Sequence, residues 1–198
     1  MSDIEFALKS LRSVHGKYQI AGQFTASNDS ITRWPTNLPR SAEVDLLFRE
    51  HDPVGVKFDT GLTPLKLFDV ASLKKGQLGY RWISTADGQI QSEEWPDQHL
   101  VIMDDNGGGK PIIAVTDVGN TPVYASDDVV APFQIAASLA DFILALSRMI
   151  DIVYGEFNIF DLSDDDGIAD VFLSKLQNEI RPILGGENTS RFVECFYG

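Results

Sequence analysis

Residues 95–123, W-P-D-Q-H-L-V-I-M-D-D-N-G-G-G-K-P-I-I-A-V-T-D-V-G-N-T-P-V, constrain the fold more than any other stretch of the chain. Two apolar runs flank a short acidic turn rich in glycine. Residues 99–103 and 111–117 have the apolar, β-branched character of strands. The connection Asp104-Asp105-Asn106-Gly107-Gly108-Gly109-Lys110 supplies residues that tolerate positive φ in a tight turn. The segment predicts a hairpin at the centre of a sheet, with its tip open to solvent. It brings no evident catalytic group with it.

Charge is distributed unevenly around this hairpin. Of the 29 acidic residues in the chain, sixteen fall between Glu93 and Asp170, against only Lys110 and Arg148 as bases. A field of that sign repels nucleic-acid phosphate and attracts basic partners. It also keeps a surface solvated, which is the plainer use of the same residues. The 198-residue length and 43% hydrophobic content supply enough material for one core with an appendix. A single cysteine, Cys195, excludes an internal disulfide framework and fits a reducing compartment. Residues 1–5 lack the basic and apolar regions of a signal peptide. The most apolar segment, residues 131–150, contains Asp141 and Arg148. Such charges cost roughly 2.5–3.5 kcal/mol each at a span centre on insertion scales, so a soluble helix is expected there. The expected location is cytoplasmic, with no membrane and no nucleic acid among the partners.

The remaining chain predicts alternating short elements. Ser2 and Glu5 form a capping-box pattern ahead of Ile4, Leu8 and Leu11 at helical spacing. Residues 18–24 predict a strand, and residues 26–37 a polar loop anchored by Trp34. Leu38-Pro39 opens a short helix with Val44, Leu47 and Phe48 on one side. Residues 54–58 and 62–68 predict extended segments, with Pro64 favouring an edge or loop. Asp69 caps a short helix reaching Leu73. Residues 80–83 are β-prone, and residues 85–94 turn-like. Residues 122–125 predict a strand. Residues 131–150 predict a long helix with Ile135, Leu139, Phe142, Ile143, Leu146, Met149 and Ile150 as its core stripe, and Ala145 on the opposite side. One of Asp164, Asp165 or Asp166 is expected to cap a further helix that Gly185-Gly186 stops. The last residues, 191–198, are expected to dock on the body.

Familiar chemical motifs fail on inspection. Gly107-Gly108-Gly109-Lys110 lacks the distant glycine and following hydroxyl of a phosphate loop: Asp104 and Pro111 stand in those places. Calcium-loop spacing fails at Gly107 and Gly167, where Ile102 and Leu162 take the first ligand position. An irregular, weak cation site at Asp104-Asp105-Asn106 is the remaining metal option. His15, His51 and His99 stand apart without zinc-ligand spacing. Cys195 has no local base and reads as a small buried hydrophobe. The expectation is therefore no catalytic residue, no metal and no cofactor. Trp34, Trp82 and Trp95 each suit a core or an interface.

Leu38-Pro39 before a short helix, Gly79-Tyr80-Arg81-Trp82, Trp95, and the run from His99 to Ala114 stand in an order that resembles the SUKH superfamily, which includes bacterial toxin-immunity proteins and a fungal cell-wall-synthesis regulator. Val123-Tyr124 and the segment from Ile135 to Ile143 fit its late strand and helix. Lys110 stands where family members commonly carry an acid. The resemblance implies an α+β fold: a curved, largely antiparallel β-sheet with flanking helices. It implies a single SUKH-like domain over residues 1–154, with residues 155–198 as a helical extension packed on it. It also implies binding without catalysis, in which an immunity-type protein blocks a basic toxin domain such as a nuclease or deaminase. Trp95, Asp104, Asp105, Asp127 and Asp128 are the expected partner-binding residues, chosen from charge and position. An intracellular adaptor or scaffold is the alternative. An enzyme acting on a small molecule or cation would require a deep pocket with convergent polar groups and shifted pKa values.

Overall fold

The computed structural model describes residues 3–26, 32–105, 109–126, 131–157, 159, 162–164 and 167–198. In chain order its elements are α1 (Asp3–Lys17), β1 (Gln23–Thr25), α2 (Ala42–Glu50), β2 (Asp52–Val54), β3 (Lys57–Phe58), β4 (Leu65–Leu67), α3 (Val70–Leu73), β5 (Trp82–Thr85), β6 (Gly88–Gln91), β7 (His99–Asp105), β8 (Ile112–Val115), β9 (Val123–Ala125), β10 (Phe133–Ala136), α4 (Leu139–Gly155), β11 (Ser163–Asp164), β12 (Gly167–Ile168), α5 (Asp170–Leu184) and α6 (Gly186–Tyr197). The fold is α+β. The main sheet runs β10-β9-β8-β7-β4-β3, antiparallel throughout.

The predicted hairpin, β7 with β8, forms the two middle strands of this sheet. Both strands are apolar on both sides because both faces are covered: Leu100 to Met103 and Ile112 to Ala114 are all buried. A bulge between Val101 and Met103 shifts the register by one residue. The tip residues 106–108 lie outside the described residues, as do Ser2 of the expected capping box and Asp165 and Asp166.

Helix α4 is the apolar centre of the helical layer. Ala145 is fully buried with Phe142, Leu146 and Met149, so the opposite side expected for Ala145 is also covered. Helices α1, α5 and α6 contribute Leu8, Phe172 and Phe192 to the same continuous core. Polar bonds tie three of these helices together at the surface. Asp151 of α4 accepts from Lys17 and Tyr18 at 2.7 Å each, and Arg148 reaches both Asp151 and Glu179 of α5. At the chain's end, the Tyr197 hydroxyl donates to the Thr60 carbonyl at 3.1 Å in the interior.

Several local expectations are corrected. Residues 133–136 are not the start of the long helix but the edge strand β10, paired with β9 and burying Ile135 and Ala136. Ser138 then caps α4, its Oγ accepting from the Asp141 amide at 2.9 Å. Helix α2 starts at Ala42 after the Ser41 cap, three residues beyond the expected proline start at Pro39. The Ser163–Asp164 backbone pairs in β11, Asp165 and Asp166 lie outside the described residues, and α5 follows Ala169 without a side-chain cap. Residues 85–94 are not just a turn, since β6 pairs with β5. The expected strand at 54–58 breaks at Gly55, where φ is 66°. Gly22 (φ 88°) approaches that point so closely that a Cβ would lie 2.5 Å from the Gly55 carbonyl carbon. Among the described residues, no helix is long and apolar enough to cross a membrane.

Candidate functional site

Strand β4 pairs with β7 only from Met103 to Asp105, so on the side away from β8 the backbone of β7 from His99 to Val101 needs other partners. Side chains provide them. Gln77, fully buried, donates to the Val101 carbonyl at 2.8 Å and accepts from the Val101 amide at 3.0 Å. Its second donor bond, to the Leu73 carbonyl, anchors the end of α3 to the strand. The Trp95 indole N–H donates to the His99 carbonyl at 3.1 Å. Arg81, only 3% exposed, donates to the carbonyls of Asp97 and His99.

Trp95 and His99 also border a groove of about 630 Å³, lined by Tyr80, Ile83, Pro111 and Pro132 among others. Tyr80 and Trp95 form one aromatic wall, with centroids 5.6 Å apart. Trp95 meets the edge of His99 at 5.8 Å, and His99 stacks on Tyr124 at 6.4 Å. The β5–β6 hairpin stands beside the groove. Its cross-strand pair Ile83 and Ile90 is exposed, at 44% and 54%. Glu94 lines the groove, and exposed Glu93 and Asp97 adjoin it in the chain.

Behind the aromatic wall lies Asp104, 6% exposed. Its Oδ2 accepts from the Tyr80 hydroxyl at 2.9 Å, and its Oδ1 accepts from the Asp105 amide at 2.8 Å. Burial pushes its pKa up to about 6, with help from Asp105 and against the Tyr80 bond. His99 is shifted the other way. Burial lowers its pKa, Asp117 opposes that change, and Arg81 adds to it. Among the described residues, His99 Nδ1 and Arg81 Nε are buried without hydrogen-bond partners.

Of the five residues expected to bind a partner, Trp95 and Asp104 are brought together through Tyr80. Trp95 is half-buried on the groove. Asp104 turns its carboxyl inward, not toward a partner: it is a buried group under Tyr80. Asp105 accepts from the Gly109 and Lys110 amides and so holds the hairpin turn. Asp127 and Asp128 lie outside the described residues. Tyr80, Gln77, Arg81 and His99 were not singled out as site residues. The one available signal was the aromatic pair Tyr80 and Trp82 around Arg81, which sequence alone assigns to a strand. Cys195 is buried, as a small hydrophobe would be.

A second cleft of about 780 Å³ lies where α1, α2 and α4 begin. Asp3, Glu43 and Asp141 line it, each in the first turn of its helix, where a carboxylate favours the helix dipole. Beside it, buried Thr121 (φ 51°) donates its hydroxyl proton to Glu43 at 2.9 Å and shares a hydroxyl–hydroxyl bond of 2.6 Å with Ser41. Among the described residues no group of three or more His, Cys, Asp or Glu side chains is arranged to hold a metal ion.

Comparison of the chain with protein-family models, with curated proteins and with solved structures finds no match in any of the three.

Proposed function

We propose that the chain is a protein-binding module of immunity type, and that it neutralises a cognate toxin domain by direct contact at the groove of Tyr80, Trp95 and His99. The observation that carries this reading is the pairing of an aromatic groove with the acid-rich part of the chain. Aromatic anchors in a concave site are the usual source of interface energy. Acidic surroundings raise the association rate of a basic partner and reject acidic ones. The resemblance of the motif order to the SUKH superfamily supports the same role. Binding without catalysis is part of the proposal. Asp104, the carboxyl whose pKa rises most clearly toward neutrality, stands behind Tyr80 and does not line the groove.

Co-expression of the chain with basic nuclease and deaminase toxin domains, including any that a neighbouring gene encodes, tests the proposal. The expected result is restored growth, lost again when Trp95→Ala is introduced into a folded protein. Growth arrest unchanged by the wild-type chain overturns the immunity role. An intracellular adaptor would instead bind several partners with moderate affinity and rescue nothing.

A further inference from the structure

Glu94 is the one carboxylate among the described residues lining the groove, and Lys and Arg are absent from that lining. The two bases nearest in sequence are engaged elsewhere. Arg81 is buried on the Asp97 and His99 carbonyls, and Lys110 reaches the Cys195 carbonyl at 3.4 Å. Cations of the chain that do lie over rings use Tyr18, Trp34 and Phe68. Among the described residues none lies over Trp95. The groove therefore offers a half-buried indole beside a carboxylate, with apolar Ile83, Pro111 and Pro132 around it.

We infer that the groove recognises an arginine side chain of a basic protein partner. This rests on the binding role proposed above and names the group that is bound. A guanidinium is planar, weakly hydrated and able to stack on an aromatic face while pairing with a carboxylate. Tyr80 and Trp95, 5.6 Å apart, already touch each other. The cation thus lies over the wall they form, not between the rings, and Glu94 pairs with its edge. The volume of about 630 Å³ exceeds what one guanidinium needs and leaves room for the flanking peptide. A lysine ammonium is a more strongly hydrated point charge and gains less from stacking.

The test is a titration of the full chain with capped Gly-Arg-Gly, Gly-Lys-Gly and Gly-citrulline-Gly peptides into the millimolar range. The readout is the Trp95 indole N–H resonance, assigned by its loss in Trp95→Phe. The arginine peptide is expected to shift this resonance saturably. The lysine peptide should bind several-fold more weakly and the uncharged citrulline peptide roughly tenfold more weakly or less still. Glu94→Gln should weaken the arginine peptide about two- to fivefold, while Asp87→Asn on the hairpin turn leaves it unchanged. Equal affinity for citrulline, or no movement of the Trp95 resonance with arginine, overturns the inference. If a toxin domain moves the Trp95 resonance while the arginine peptide does not, arginine recognition fails and the binding groove stands. If the toxin domain leaves Trp95 unmoved, the groove itself is the wrong surface.

Discussion

The Tyr80 hydroxyl donates to Oδ2 of Asp104 across 2.9 Å, joining the aromatic wall of the groove to a buried carboxyl on the central strand. That carboxyl carries a measurable pH dependence. Its folded pKa, about 6, lies above the ordinary aspartate value near 4. The folded state then holds the proton more tightly than the unfolded chain, so stability falls as pH rises between these values and levels off above about 6. Asp104→Asn keeps the shape and removes the titration. It should flatten this slope and raise stability at pH 8 by roughly 2 kcal/mol, after a discount for water entering the groove. Urea unfolding at pH 4, 6 and 8 checks it; an unchanged slope would show that Asp104 titrates normally.

Tyr80→Phe acts on the same pair in the opposite sense. It removes the donor that favours the Asp104 carboxylate and leaves that oxygen buried without it. The expected cost is about 1–2 kcal/mol at pH 8 and less at pH 4, where the carboxyl is protonated in either protein. The difference between the two pH values is the diagnostic quantity. An equal loss at both would assign the effect to packing alone.

Gln77 stands in for a strand at Val101. Gln77→Ala leaves the Val101 amide and carbonyl buried without these partners, and it frees the end of α3. Unsatisfied buried groups cost about 1–3 kcal/mol each, so a loss on the order of 3 kcal/mol is expected. Chemical denaturation measures it, and hydrogen exchange should show faster exchange of the Val101 amide. A loss below about 0.5 kcal/mol, the range of neutral surface changes, would mean that water replaces the amide without penalty.

The centre of the main sheet was legible in the sequence and its β10 edge was not. Residues 99–103 and 111–117 announce strands by composition. The strand at Phe133–Ala136 was hidden because Ile135 continues the apolar spacing of α4, and short apolar runs fit either period. Ser138 marked the boundary, but a serine cap is recognisable only when the helix start is already suspected. The groove was less legible still. Its lining comes from segments far apart in the chain, Tyr80 and Ile83, Trp95 and His99, Pro111 and Pro132, and no local pattern encodes their meeting. Asp104 was selected for its charge, yet the strand turns it inward under Tyr80.

If a basic partner binds at the groove, rate and affinity should respond to different residues. Replacing exposed Glu93, Glu94 and Asp97 together with Gln and Asn should slow association and flatten its dependence on salt. Trp95→Ala should mainly speed dissociation, weakening the complex tenfold or more. Surface-captured partner followed at several salt concentrations separates the two effects. An association rate indifferent to both salt and the triple replacement would remove electrostatic steering from the account.

Asp151 links α1, α4 and α5 at a distance from the groove, and its pH dependence has the sign opposite to that of Asp104. Burial raises its pKa, but bonds from Lys17 and Tyr18 and the charge of Arg148 outweigh burial and leave it below the usual range. Stability from this group is therefore present above the ordinary aspartate value and lost as pH falls through the lower, folded one. Asp151→Asn should cost about 1 kcal/mol at neutral pH, since the pairs are partly solvated and form a network. The deficit should shrink in high salt and vanish as pH falls through the lowered folded value, where the wild-type carboxyl also becomes neutral. Urea unfolding at two pH values and two salt concentrations measures all three effects. A deficit that persists unchanged in acid would mean that Asp151 supports the helices through its shape and hydrogen bonds, not its charge.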